Sequence, residues 1–369
     1  MGDWPEKVGS VIQELLDDLK ARDSISGVCL FGSWSRGEAV SSSDIDLLIV
    51  DSRNLGYEYV ERAEIDGFFI DLDFVPERWV LRENPPEIDQ KLFEAEILFD
   101  RKAKLAKVKE LILNTYRKPE RIDLRTMDYL TEADIYLSRG FSSYNKGDLK
   151  SAKVSAAAAL DATMKILIEL NRLPISNSRF VKHVKSSAER FEASKLLEDY
   201  LRISSLTQAE EQGCERILSS LTDVWKAASG FVHSNSSTVK TLHHKVMNSL
   251  NYYCRESFWK GFFNRAQSLI EDAYFEEAAH YMISSSLHML ENFAWLVSVI
   301  ENRRFDFTTL FRFLEDSVAS PSIIYKGAVE AFGVEDVREA YVEEALRRVK
   351  EIIIGIRQKR REMITVLFS

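Results

Sequence analysis

Cysteine is scarce in this sequence. The three present, Cys29, Cys214 and Cys254, are far apart and form no CxxC pair. A disulfide framework is therefore not expected, and a reducing, cytoplasmic compartment is. Long apolar runs are also missing. None reaches the roughly 18 residues that a membrane helix needs, so no spanning segment is expected. The first residues, Met1–Glu6, have neither the basic start nor the apolar stretch of a signal peptide. Pro5 and Glu6 do not supply the hydroxyl residue that a myristoylation motif requires after Gly2. Basic surplus is absent too. Against 58 acidic residues stand 49 basic ones, a net charge of −9. That balance argues against a protein whose task is to coat nucleic acid, because phosphate binding needs a basic surface.

What is present is ordinary for a globular chain: 369 residues, 45% hydrophobic and 29% charged. The length predicts two or three domains. Residues 5–22 place Val8, Val11, Ile12, Leu15, Leu16 and Leu19 at three-and-four spacing, which predicts an amphipathic helix. Three β-prone stretches follow, at 25–31, 44–50 and 68–75, then a helical stretch at 86–94 and a short strand at 96–99. Beyond residue 101 strand signals nearly vanish and helical periodicity takes over, interrupted at Pro119, Gly147, Pro174, Ser234–Ser237 and Pro321. The expected fold class is α+β, a small mixed-sheet domain followed by an all-α region of one or two helical bundles. The expected domains are 1–105, 106–260 and 261–369. The third is read as a distant repeat of the second, since residues 144–171 resemble 270–297 with Ala152 aligned to Ala278.

Chemistry concentrates between Leu30 and Val50. On a strand, Asp44 and Asp46 project to one face while Ile45, Leu47 and Ile49 take the other. Paired carboxylates repel and need a counter-charge, which a hard divalent cation supplies. A third carboxylate is available on strand 68–75, where Asp71 and Asp73 share a face. Three carboxylates on one sheet face can hold two metal ions roughly 3.5–4 Å apart for in-line phosphoryl displacement. Just upstream, Gly32 and Ser33 end a strand and open a turn whose amides suit phosphate oxygens. Arg36 can add charge-assisted bonds to phosphate.

Gly-Ser-x-x-Arg-Gly at 32–37, followed by Ser-Asp-Ile-Asp-Leu at 43–47, resembles the signature of the DNA polymerase β-like nucleotidyltransferase superfamily. The closest pattern is that of its minimal and antibiotic nucleotidyltransferase branches. The resemblance covers about residues 5–105. It implies an enzyme that moves a nucleoside monophosphate from a nucleoside triphosphate to an acceptor hydroxyl and releases pyrophosphate. It also implies a Mg²⁺ cofactor, two ions, with Mn²⁺ as a substitute. Asp44, Asp46 and the third acid are implied as metal ligands and catalytic residues. The family pattern puts that third acid directly after an apolar strand start, which is Asp71, with Asp73 as its rival. Gly32, Ser33 and Arg36 are implied as the nucleotide-binding residues. The alternative is a silent nucleotide-binding or antitoxin-like module that acts by protein interaction.

The helical region resembles, less specifically, the bundles that follow such domains, including the higher-eukaryote-and-prokaryote nucleotide-binding (HEPN) bundle. Arg179 and His183 are too close to match the Arg–His spacing of HEPN ribonucleases, so RNase activity is not expected. His233, His243 and His244 fit no familiar zinc spacing. Trp34 suits either core packing or stacking on a ligand. The basic run 347–361 reads as a solvated helix face. The expected partners are a nucleoside triphosphate and an acceptor of unspecified identity, a small molecule or protein rather than an RNA end. Self-association as a homo-oligomer stays open.

Overall fold

The computed structural model describes residues 4–53, 56–207 and 209–368. The chain divides into two compact units, Met1–Arg121 with Arg255–Gly261, and Ile122–Cys254 with Phe262–Ser369.

The first unit is α+β. Helix α1 (Trp4–Ala21) leads into β1 (Ile25–Phe31), a single short turn α2 (Gly32–Ser35), then β2 (Ile45–Asp51), β3 (Tyr59–Ile65), β4 (Phe68–Pro76), α3 (Asp89–Glu94), β5 (Glu96–Asp100) and α4 (Lys104–Thr115). The five strands form one mixed sheet in the order β3-β4-β2-β1-β5, with only β2 and β4 parallel. Strand alternation sorts the side chains. Ile45, Leu47, Ile49, Ile70, Leu72 and Phe74 join Val28, Leu30 and the Val8, Val11, Leu16 and Leu19 stripe of α1 in one core. Cys29, Leu48, Val50 and Val75 face the other way, onto Leu92 of α3 and Leu105 and Ile112 of α4. Asp46, Asp71 and Asp73 have the parity of this second face.

Strand β3 escapes a sequence reading. Its residues, Tyr-Val-Glu-Arg-Ala-Glu-Ile, carry three charges in seven positions and look like loop. It forms because it is an edge strand: Tyr59, Ala63 and Ile65 pack on the core while the opposite parity carries Arg62.

The second unit is entirely helical. Its elements are α5 (Pro119–Asn145, whose first residues lie in the first unit), α6 (Leu149–Leu170), α7 (Phe180–Arg190), α8 (Ser194–Ile203), α9 (Glu211–Ser234), α10 (Ser236–Val239), α11 (His244–Tyr253), α12 (Glu256–Glu271, likewise shared), α13 (Phe275–Ile300), α14 (Leu310–Glu315), α15 (Ser322–Ala331) and α16 (Glu339–Phe368). Before α6 the chain turns through Gly147 (φ 73°), and the Asp148 N–H donates to Ser143 O at 3.0 Å. Before α13 it turns through Ala273 (φ 58°), and the Tyr274 N–H donates to Leu269 O at 2.8 Å. Helices α8 and α15 both have 10 residues, and left-handed Ser205 and Gly333 follow them at matching positions. Helix α9 packs on α13 and α15, whereas α16 packs on α6. Ser220 of α9 bonds Glu330 of α15, and Arg348 of α16 pairs with Asp199 of α8, at 2.8 and 2.7 Å. The physical reason lies in α6 and α13, which bury residues on most of their circumference and need cover on every side.

Candidate active site

The acidic residues converge through strand pairing. In the parallel β2–β4 ladder Asp46 is the register partner of Asp71, and Leu48 that of Asp73. Asp44 immediately precedes β2. Asp46 and Asp71 therefore stand side by side, while Asp73 lies one pleat further along. The antiparallel β3–β4 ladder then sets Arg62 opposite Asp71.

Arg62 is the central counter-charge, and its side chain is only 2% exposed. Nη1 donates to both Asp71 oxygens at 2.9 Å, and Nη2 donates to Asp44 Oδ1 at 2.7 Å. Nε donates to Ser257 O at 3.1 Å. The guanidinium also lies over the rings of Phe69 and Phe258, at 5.2 and 5.5 Å. Arg255 in turn donates to Arg62 O at 2.6 Å. All of these groups belong to the first unit. A cation thus bridges Asp44 and Asp71, which answers the like-charge repulsion from within the protein.

Asp73 is committed elsewhere. It is buried and pairs at 2.7 Å with Lys91 of α3, which also reaches Glu58 at 3.3 Å. Burial pulls the Lys91 ammonium down, but Asp73 and Glu58 outweigh it and hold the pKa above its usual value.

The turn after β1 closes on Asp46. Gly32 has φ 76°, and a Cβ there would overlap the Asp46 carboxylate. Glycine is required by both conformation and space. The turn is tied by Ser35 Oγ donating to Gly32 O at 3.0 Å and Glu38 N–H donating to Ser33 O at 2.9 Å. Arg36 is engaged by Glu38, at 2.9 Å, and by Glu94. Burial raises the Glu94 carboxyl above its usual range, against the pull of Arg36 and a hydrogen bond with the Gly32 backbone. Trp34 packs against the α1 core.

The oxygen-only donor set suits a hard cation, although Asp44 and Asp71 here both face the Arg62 guanidinium, through different nitrogens. Among the described residues, however, no group of three or more His, Cys, Asp or Glu side chains closes on an ion position. The arrangement fits a metal completed by substrate phosphate, as Mg²⁺ usually is, and not a protein cage. The His243 and His244 rings lie against each other at 3.9 Å with a tilt of 37°, and His243 accepts from the Lys245 N–H at 3.4 Å. In the basic run 347–361, Arg348 pairs with Asp199, Arg357 with Asp134 and Arg360 with Asp123. Arg360 is buried and Arg348 half-buried, while Arg347, Lys350, Arg357, Lys359 and Arg361 stay exposed, as a solvated helix face requires.

Arg62 is the functional candidate that sequence reading missed. The available signal was its parity with Val60 and Glu64 on a seven-residue stretch whose other face carries Tyr59, Ala63 and Ile65.

Comparison with known proteins fits this picture. Residues 12–135, about a third of the chain, match the family described as nucleotidyltransferase domain. Among solved structures, a nucleotidyltransferase-like protein from Exiguobacterium sibiricum 255-15 is 12% identical over 90% of both chains, with a TM-score of 0.32, a likeness too distant to bear on function. No curated protein matches.

Proposed function

Since the chain carries a member of the nucleotidyltransferase domain family over residues 12–135, we propose that it transfers a nucleoside monophosphate from a nucleoside triphosphate to an acceptor hydroxyl. The observation that carries this reading is the register pair Asp46 and Asp71, with Asp44 beside them and the Gly32 turn pressed against Asp46. Asp44, Asp46 and Asp71 are the residues to hold Mg²⁺ or Mn²⁺, which, when bound with substrate, neutralises phosphate charge as the leaving pyrophosphate develops. The Gly32–Ser33 turn receives phosphate oxygens through its amides and the Ser33 hydroxyl. Arg36 and Glu94 brace that turn from behind, and Arg36 reaches phosphate only by leaving one of its acids. One of these carboxylates would accept the acceptor proton. Asp73 serves the fold through Lys91. The acceptor is a small molecule or a protein side chain, in keeping with the net charge of −9.

A second reading has an observation of its own. Because Arg62 already neutralises Asp44 and Asp71, the domain could bind nucleotide without turning it over. One experiment separates the two. Purified protein is incubated with each α-³²P-labelled nucleoside triphosphate, Mg²⁺ and cell extract, and label is sought on macromolecules and metabolites. Label transfer that disappears in Asp46→Ala supports the enzyme. Nucleotide binding without any transfer supports the silent module.

A further inference from the structure

The two parallel strands that meet at Asp46 and Asp71 run side by side to Asp51 and Pro76. Five residues at about 3.3 Å each put their far ends roughly 17 Å from the acid cluster. There the first unit has an open cavity of about 570 Å³, walled by Arg53, Arg78, Arg82, Lys104 and Lys107, with Glu77 as the only carboxylate of its lining among the described residues. Two of these cations have acid partners: Arg53 meets buried Asp51 at 2.6 Å, and Arg78 meets Glu83 at 3.1 Å. Arg82, Lys104 and Lys107 have no ion-pair partner among the described residues.

This is a local inversion of the chain's charge. A protein with net charge −9 gathers five cations around one concavity and leaves three of them unmatched. A cleft lined by one sign of charge focuses the field inside it and draws a ligand of the other sign. Arginine is prominent among the five, and its planar fork matches phosphate oxygens two at a time. The volume is that of a small-ligand pocket, typically about 300–1,000 Å³. Among the described residues no aromatic ring lines it, so bases of a single strand find no stacking platform there. The acidic balance of the chain also opposes a long polyanion. We propose that this cavity is a second anion site, separate from the transfer site, that takes a compact ligand carrying a short chain of phosphates.

The test uses the full chain in metal-free buffer with EDTA and inorganic tripolyphosphate as probe, followed by titration calorimetry at low and moderate salt. Without metal, nucleoside or acceptor no nucleotidyl transfer contributes to the readout, and Ser33→Ala reports any probe held at the transfer site. Wild type is expected to bind one equivalent. Arg82→Glu with Lys107→Glu is expected to weaken binding by about tenfold or more, as the loss of charge-assisted contacts requires, with unchanged melting temperature. Ser33→Ala and the exposed pair Lys182→Glu with Lys195→Glu are expected to bind as wild type. Binding that survives the Arg82/Lys107 reversal overturns the proposal. So does equal weakening by the Lys182/Lys195 control, which would mean only a long-range field, and so does loss in Ser33→Ala, which would place the probe at the transfer site. Tighter binding of a twelve-nucleotide single strand with the same Arg82/Lys107 dependence would assign the cavity to nucleic acid instead.

Discussion

In the helical unit, buried charge is matched locally. Arg125 reaches Glu169 at 2.5 Å with both side chains nearly sealed from solvent, and Arg360, 2% exposed, pairs with Asp123 at 2.7 Å. In the first unit like charges converge instead: Asp44, Asp46 and Asp71 at one end of the sheet, and five cations around a cavity at the other. Matched charges satisfy one another and hold helices in place. Convergent charges of one sign raise each other's energy and ask for something from outside. Arg62 marks the boundary between the two cases, because it makes part of an acid cluster behave like a structural ion pair.

The sharpest break in this contrast comes from the acids themselves. Asp44→Ala and Asp46→Ala are each expected to abolish nucleotidyl transfer, by several orders of magnitude, with the fold retained in circular dichroism. Removing one carboxylate of a lone repelling pair would stabilise the metal-free protein. Because Arg62 bridges Asp44 and Asp71, Asp44→Ala should instead lower stability by about 1 kcal/mol. A stabilised Asp44→Ala would show that the bridge is not formed in solution.

Next comes a matched pair on one strand. Asp71→Asn is expected to lose transfer by several orders of magnitude while binding nucleotide. Asp73→Asn leaves the Lys91 ammonium with Glu58 as its remaining acid, so it should keep most activity and lose about 1–3 kcal/mol of stability in urea unfolding. A reversal of the two results would move the third ligand to Asp73.

The helical unit supplies the opposite control. Glu169→Ala removes the carboxylate that faces buried Arg125, and a loss of about 3–5 kcal/mol is expected from denaturant titration. Exchanging both for packed apolar residues should recover most of it.

Arg62→Met tests whether guanidinium and metal compete for the same oxygens. Mn²⁺ affinity, read by electron paramagnetic resonance without nucleotide, should rise about tenfold, worth about 1.4 kcal/mol. Weaker Mn²⁺ binding would make Arg62 a support for the metal site and not its competitor.

The smallest effect is one of pH. Burial raises Glu291 to about 7, against the opposing charge of Arg139, which lies 3.0 Å away. A carboxyl with a raised folded pKa binds its proton more tightly in the native state, so stability falls as pH climbs from about 4.5 through 7. Relative to Glu291→Gln, wild type should lose roughly 1–3 kcal/mol between pH 5 and pH 8. A difference that stays flat across that range would mean Arg139 holds the carboxylate ionised throughout.

The amino-acid sequence by itself determined the α+β beginning, the helical remainder, and the residues that meet at the acid end of the sheet. Those are local properties: periodicity selects helix or strand, strand parity puts Asp44 with Asp46, and glycine alone tolerates the turn at 32. Tertiary structure decided the rest. Asp71 and Asp73 share a parity, and only the β2–β4 register places one beside Asp46 and the other beside Leu48. Arg62 lies on a strand too charged to read as one, and it becomes the counter-ion of the acids because β3 pairs at the sheet edge. The packing of α9 on α13 and α15, and of α16 on α6, is likewise invisible in either helix, since an apolar face specifies that it must be covered but not by which neighbour. Pairing partners are set by contacts between residues distant in the chain, and no window along the sequence contains both sides of such a contact.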